Sequence, residues 1–218
     1  MFKNKISMPV VASSGGGGGY KIKKLTITQN GFYDNEFEAY KPVYVSVPQV
    51  AQVGSLKALL DATKTTYHLF YQYTGTSVDG LISYSDTNNV TRMNNMFENC
   101  TNLTTVPQLD TSNVTDMGFM FYACTNLTTV PQLDTSKVTD MGFMFSNCTS
   151  LTSIGIYGFT RTIDISQTAL EHDAIVAFLN QAGTAYNSSQ KIIMGSAKLA
   201  LLSDEEKAIA TNKRWTLA

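Results

Sequence analysis

Three cysteines, two histidines and a scatter of carboxylates are what this chain of 218 residues offers for chemistry. Cys100, Cys124 and Cys148 stand 24 residues apart, which places each at the same point of a repeating unit. A thiol can act as nucleophile, metal ligand or half of a disulfide. Stacked units, however, hold equivalent atoms roughly 5 Å apart with parallel side chains, whereas a disulfide needs Cβ atoms converging to about 3.8 Å. Three is also an odd number, and no His or carboxylate is spaced to complete a zinc site with them. The expectation is a column of small buried thiols. Asp110 and Asp134 also recur at equivalent points. Calcium takes several converging oxygens, and one Asp per unit supplies too few, so turn and cap bonding is the expected role. His68 and His172 lie far apart in the chain, and neither pairs with an evident nucleophile. The run Gly15–Gly19 lacks the Lys-Ser/Thr that follows a phosphate-binding loop. The Asn-x-Thr triplets at Asn89, Asn99, Asn102, Asn113, Asn126 and Asn147 match a glycosylation pattern and read here as turn and cap residues. No catalytic constellation, metal site or cofactor site emerges, and the chain is expected not to be an enzyme.

The elements that carry these residues follow from the repeat itself. TNLTTVPQLDTSNVTDMGFMFYAC (101–124) is followed directly by TNLTTVPQLDTSKVTDMGFMFSNC, identical at 21 of 24 positions. A fixed period in the twenties marks a solenoid, in which each unit buries its apolar face by stacking on its neighbours. Leu103, Val106 and Leu109 are spaced as a short strand plus a bend. Thr111 or Ser112 is placed to cap a helix. Val114, Met117, Met120 and Phe121 then fall at i, i+3, i+6 and i+7, which predicts one face of a short helix; the methionines are core filler rather than metal ligands. Residues 77–100 repeat the pattern imperfectly. Leu69, Phe70 and Tyr73 mark a degenerate opening unit, as end repeats must close an open core face. Those same residues make the segment 67–73, YHLFYQY, read as core more than as a sugar-stacking patch.

Around the repeats, residues 1–19 read as an arm with a glycine linker, whose physics is reach and flexibility. Residues 20–48 form a small β unit: KIKKLTIT and PVYVSV alternate, and Asn30-Gly31 is a turn signal. Residues 49–154 hold the repeats, opened by a short helix within 49–62. Residues 155–218 form an α/β cap, with a strand in 160–166, a helix over 169–181, a strand near 191–196, a capping box at Ser203 and Glu206, and Trp215 closing the core. A net charge of −1 and the lack of a basic cluster exclude a nucleic-acid footprint. No apolar run reaches the length of a membrane span. The stretch Met8–Ala12 is too short for a signal-peptide core and contains Pro9.

The repeated motif LDTSNVTDMGFMFYACTNL resembles the BspA-like leucine-rich repeats, whose units read roughly LDTSNVTDMSxMFxxCxxL. The likeness covers residues 86–151 well and about 60–166 loosely. It implies the fold class: an α/β solenoid, a short BspA-like leucine-rich repeat stack of period 24, with an N-terminal β unit and an α/β C-terminal cap. It also implies a bacterial surface or adhesive protein. The flank LTITQNGFYDNEFEAYKPVYVSVPQV looks like a segment common in phage and prophage structural proteins of Gram-positive bacteria, and the end IIMGSAKLALLSDEEKAIATNKRWTLA is similar to the C-terminus that accompanies such repeats there. Phe32 departs from the small residue usual at its place.

Together these imply a non-enzymatic structural protein of a phage particle (tail or baseplate, neck, or capsid accessory). Its repeats would bind a protein or glycan, decorating the particle or attaching it to the host. Met8, Pro9, Val10 and Val11 are candidate anchors to other virion proteins, in symmetric copies and without nucleic acid or membrane insertion. The candidate binding rows are Thr104, Thr105 and Gln108, repeated at Thr128, Thr129 and Gln132 and continued by Thr152 and Ser153. A secreted bacterial adhesin is the alternative and needs an export signal. A cell-wall hydrolase, the third class, needs paired carboxylates in a groove.

Overall fold

One 24-residue unit is too small to bury its own apolar residues, so the chain folds by laying one unit on the next. The computed structural model describes residues 6–9, 24–28, 31–34 and 56–218. From residue 64 onward the units are joined rung by rung. Parallel bridges run from Thr65 to Arg92, Asp116 and Asp140. Thr128 N donates to Thr104 O at 3.1 Å, and Thr152 N to Thr128 O at 2.9 Å. The first step spans 27 residues and the later ones 24, as the degenerate opening unit requires.

Side chains at equivalent positions form columns through the core. Phe70, Phe97, Phe121 and Phe145 stack with centroids 5.4, 5.5 and 5.9 Å apart and planes within 3°. The methionines at 93, 117 and 141 and at 96, 120 and 144 are buried beside them, as are Leu103, Leu127 and Leu151. Burying an aromatic of this size contributes on the order of 2–3 kcal/mol relative to leaving it in water.

The expected helix over Val114–Phe121 does not form. In its place runs a series of tight turns. Even-numbered amides close them: Met120 N to Met117 O (3.2 Å), Tyr122 N to Phe119 O (3.1 Å) and Cys124 N to Phe121 O (3.0 Å). Odd-numbered amides cross to the next unit instead: Met117 N to Asp140 O (2.9 Å), Phe119 N to Gly142 O (2.8 Å) and Phe121 N to Met144 O (3.1 Å). Such alternation demands left-handed residues, and they recur at Asn95, Phe119 and Phe143 and at Asn99, Ala123 and Asn147, with φ between 56° and 61°. A helix this short would leave its first four amides without an intrahelical partner, whereas the turns close half of the amides locally and use the other half to bind the neighbour. The inward set Val114, Met117, Met120, Phe121 stays buried as expected. With no helix there is no cap: Ser112 N and Oγ donate to Asp110 Oδ1 (3.1 and 2.7 Å), and Asp110 makes the turn.

Helix α1 (Leu56–Thr63) precedes the first unit and buries Leu60; α2 (Tyr84–Thr87) is a single turn in the second. Regular strand pairing begins late. In β4 (Thr129–Asp134) and β5 (Ser153–Tyr157), parallel register matches Val130 to Ile154 and Asp134 to Tyr157, with a bulge between Val130 and Leu133. The preceding segment 101–110 has the same residues as 125–134, yet it stays irregular against it. Both carry a proline without N–H to donate, and β5 carries none. Gly155 is obligatory in β5, since a Cβ there would lie 2.8 Å from the Pro131 carbonyl carbon and oxygen.

The C-terminal region closes the stack. Strands β6 (Ile163–Asp164), β7 (Lys191–Ile193) and β8 (Thr216–Leu217) pair in parallel in that order. Helix α3 (His172–Gln181) buries Ile175, Phe178 and Leu179; α4 (Gly195–Leu199) is short; α5 (Asp204–Thr211) begins with the expected Ser203–Glu206 capping box. Trp215 is buried, 5.4 Å from the Phe159 ring, and its indole N–H donates to Gly183 O at 2.8 Å.

Toward the N-terminus, β1 (Ile6–Pro9), β2 (Lys24–Thr28) and β3 (Gly31–Asp34) pair antiparallel in the order β1-β2-β3. Thr28 opposes Gly31, so Gly31 already belongs to a strand rather than to the turn. Met8 and Pro9 oppose Leu25 and Lys24. Val10, Val11, the glycine run and 42–47 lie outside the described residues. Among the described residues no helix is long and apolar enough to cross a membrane.

Candidate functional site

The outward rows begin with threonine. In each unit the first threonine turns its hydroxyl back on the stack: Thr104 Oγ1 donates to Thr76 O (3.0 Å), Thr128 to Thr104 O (3.1 Å) and Thr152 to Thr128 O (3.2 Å). The same ladder recurs at Thr115 and Thr139, each bonded to the threonine carbonyl 24 residues earlier at 3.2 and 3.0 Å. Thr104, Thr128 and Thr152 are thus structural ties whose hydroxyls are already committed. Thr105, Thr129 and Ser153 differ: each is exposed, directly before a buried residue (Val106, Val130, Ile154).

Further along the strand lie Gln108 and Gln132, both exposed. The Gln108 amide donates to Gln132 O across the rung. The row ends in a small cleft of about 50 Å³ lined by Gln108, Asp110, Thr111, Ser112, Gln132 and Asp134, with Tyr84 and Tyr157 at its sides. Tyr84 is 53% and Tyr157 43% exposed. The Tyr157 phenol is held above its ordinary pKa by desolvation first, then by the charge of Asp134, by Tyr84 and by Asp110. The structure therefore brings the two predicted glutamines together with two aspartates read as turn residues. That turn role holds too: Asp110 Oδ1 accepts from Ser112 N, and Asp134 Oδ1 from Ser136 N at 2.9 Å. Sequence reasoning missed the tyrosines. Tyr84 sits in the degenerate unit and Tyr157 in β5, beyond the clean period.

A second aromatic feature escaped the sequence. Phe119 and Phe143 stack at 4.9 Å on the turn edge, 37% and 60% exposed. Both occupy left-handed positions, which cost a bulky L-residue roughly 1–2 kcal/mol; Asn95 fills the same place cheaply. The signal was present: Phe119 lies off the inward i, i+3, i+6, i+7 set.

The remaining chemistry-bearing groups are engaged. The cysteines are free and buried. Cys100 Sγ donates to Phe70 O (2.9 Å), Cys124 to Phe97 O (3.1 Å) and Cys148 to Phe121 O (3.0 Å). Burial pushes the Cys124 and Cys148 thiols far up. In the opening unit Leu69, Phe70 and Tyr73 are core, as expected. Tyr67 and Tyr71 flank His68 at 4.0 and 4.6 Å. His68 Nε2 lies 3.3 Å from Glu98 Oε2, yet burial outweighs that carboxylate and lowers its pKa. His172 bridges Asp173 Oδ1 (2.7 Å) and Glu206 Oε1 (2.9 Å), and these hydrogen bonds, Asp173 first, raise its pKa. Among the described residues no three His, Cys, Asp or Glu side chains converge as a metal site.

The rungs and the repeated rows show successive units bonded one to the next. Residues 64–175, just over half of the chain, match the family described as "Mycoplasma protein of unknown function, DUF285". The chain belongs to that family, which is associated with BspA-like repeat proteins. No curated protein and no solved structure matches it.

Proposed function

We propose that the chain is a non-enzymatic binding module, an α/β solenoid of BspA-like leucine-rich repeats that presents its outward strand row to a protein or glycan. The observation that carries this reading is the row itself. Thr105, Thr129 and Ser153 repeat one exposed position, Gln108 and Gln132 repeat the next, and the row ends between two half-exposed tyrosines. A repeated polar row on a stacked framework suits an extended ligand with its own period. Amide and hydroxyl groups beside aromatic rings suit uncharged hydroxylated polymers.

The same proposal places the chain on a phage particle of a Gram-positive host, as a tail or baseplate, neck or capsid accessory protein used in host attachment. Residues 1–47 would hold it to neighbouring virion proteins in symmetric copies. The flanks that resemble prophage structural segments support this placement. In the test, purified chain is sedimented with host cell walls, and the double variant Thr129→Lys, Gln132→Lys, altered on the outward row alone, is compared. Binding lost in the variant supports the reading; equal sedimentation, or none by either protein, overturns it. Immunogold labelling of particles with an antibody against residues 86–151 tests the placement, and clean particles beside labelled cell walls favour a surface adhesin instead.

A further inference from the structure

The turn edge of units 101–124 and 125–148 carries a feature that the unit before them lacks. Phe119 and Phe143 hold left-handed backbone, with φ of 57° and 56°, where that earlier unit has Asn95. Asparagine tolerates this conformation and a bulky residue resists it. Asn95 also closes on its own unit, its side-chain amide donating to Glu98 Oε2 at 2.6 Å. The phenylalanines stay exposed instead. Their rings stack at 4.9 Å, with Tyr122 tilted against Phe119 at 5.7 Å. The core does not need them, because Phe97, Phe121 and Phe145 already fill its ring column. Two rings held against backbone preference and left facing water mark a surface kept for contact rather than for folding.

The charge beside the rings says which contact suits it. Asp116 Oδ1 accepts from Gly118 N at 3.1 Å, and Asp140 Oδ1 from Gly142 N at 2.9 Å. These glycines directly precede the two phenylalanines. A Cβ on Gly118 would lie 3.5 Å from both Oδ1 atoms, so the two carboxylates come together at the root of the ring pair. Asp116 gives its other oxygen to Arg92 Nε at 3.4 Å. Asp140 is exposed and has no cationic partner among the described residues. Residues 64–154 hold seven Asp and Glu against three Lys and Arg, so the surrounding units do not offset that charge.

An anionic partner is repelled here, and a purely apolar one would strip water from Asp140 and return nothing. A basic side chain meets both features. Its apolar stem covers the rings, its charge is drawn to their faces, and its head reaches the carboxylate. Arginine does this best, since a flat guanidinium stacks on an aromatic ring and forks onto a carboxylate. We propose that the turn edge at Phe119, Phe143 and Asp140 docks a basic segment of a partner protein, anchored by an arginine laid on the ring pair and paired with Asp140. Aromatic and arginine anchors are where protein interfaces concentrate their binding energy. An exposed ion pair makes the contact sensitive to salt. This inference does not depend on what the outward row binds.

The probe is a dye-labelled peptide of alternating glycine and arginine, titrated with the full chain and followed by fluorescence anisotropy. A saturable rise is expected, weakening several-fold between about 0.01 and 0.15 M salt, and none for the glutamate counterpart. Phe143→Asn changes no charge and installs the residue already used at Asn95. It should weaken binding about tenfold or more while the melting temperature holds or rises. Asp140→Asn, whose amide oxygen still accepts the Gly142 bond, should weaken binding by a similar factor. Absence of saturable binding overturns the proposal, as does equal binding of the glutamate peptide. Undiminished binding by Phe143→Asn also overturns it, since that is unspecific charge attraction. Displacement by neutral chitotetraose as effective as by unlabelled peptide would make the edge a sugar platform. Self-association of the chain alone, abolished by Phe143→Asn, would make it a contact between copies; either result sinks the basic partner.

Discussion

Residues 101–124 and 125–148 are nearly one peptide written twice, yet the two copies do not make the same interactions. TVPQLD is irregular in the first copy and strand β4 in the second. The buried hydroxyl is orphaned at Thr111 and bonded at Thr135. Phe121 is stacked on both sides and Phe145 against Phe121 alone among these rings. The difference comes from what lies above and below: a proline-bearing copy in one case, the proline-free β5 in the other. In a stacked protein a residue's environment is set as much by the neighbouring unit as by its own sequence.

The ring column gives the hardest test. Phe121→Ala should cost near the top of the usual range of about 3–5 kcal/mol and Phe145→Ala near the bottom, read by urea unfolding of both variants. Equal losses would mean that the copies are energetically interchangeable. The hydroxyls give a finer contrast. Thr135→Val should cost about 1 kcal/mol through its bond to Tyr157 O, whereas Thr111→Val, with no bond to lose, should be neutral or slightly stabilising. A larger loss at Thr111 would break the comparison.

The smallest effect contrasts the two ends of the molecule. His172 has its pKa raised by Asp173 and Glu206. Its ion pairs therefore contribute fully below about pH 6.5 and fade as pH rises through the raised value. His68, lowered by burial, acts oppositely: stability is full above about pH 6.5 and falls as pH drops through the lowered value. An NMR titration should show the two rings on opposite sides of the ordinary histidine value. His172→Gln should flatten the loss of stability on the alkaline side.

The period was the most legible feature, because columns of Phe, Met, Leu and Cys repeat at one spacing and each proved buried. The capping box at Ser203 and the core role of Trp215 were equally plain, since both depend on local chemistry. The helix over Val114–Phe121 misled because its inward residues fit a 3.6-residue period while half of its amides bond a different unit, and hydrophobic spacing carries no record of that. The rows of Thr105, Thr129 and Ser153 follow from the places left between the inward residues, Leu103 and Val106, Leu127 and Val130, Leu151 and Ile154. The cleft was hidden: its tyrosines come from units outside the clean repeat, and Asp110 and Asp134 each explain themselves as turn residues when taken singly.

The thiol column also makes the molecule convenient to handle. Oxidation and alkylation proceed through the thiolate, and Cys124 and Cys148 are held far from ionising while all three sulfurs sit in the core against backbone carbonyls. Native protein should leave a thiol reagent uncoloured, and urea should release all three of its cysteines. The chain thus arrives chemically blank. One cysteine placed at Ser153, on the outward row, becomes a single addressable point for a fluorophore or cross-linker, without reductant and without stripping the native thiols.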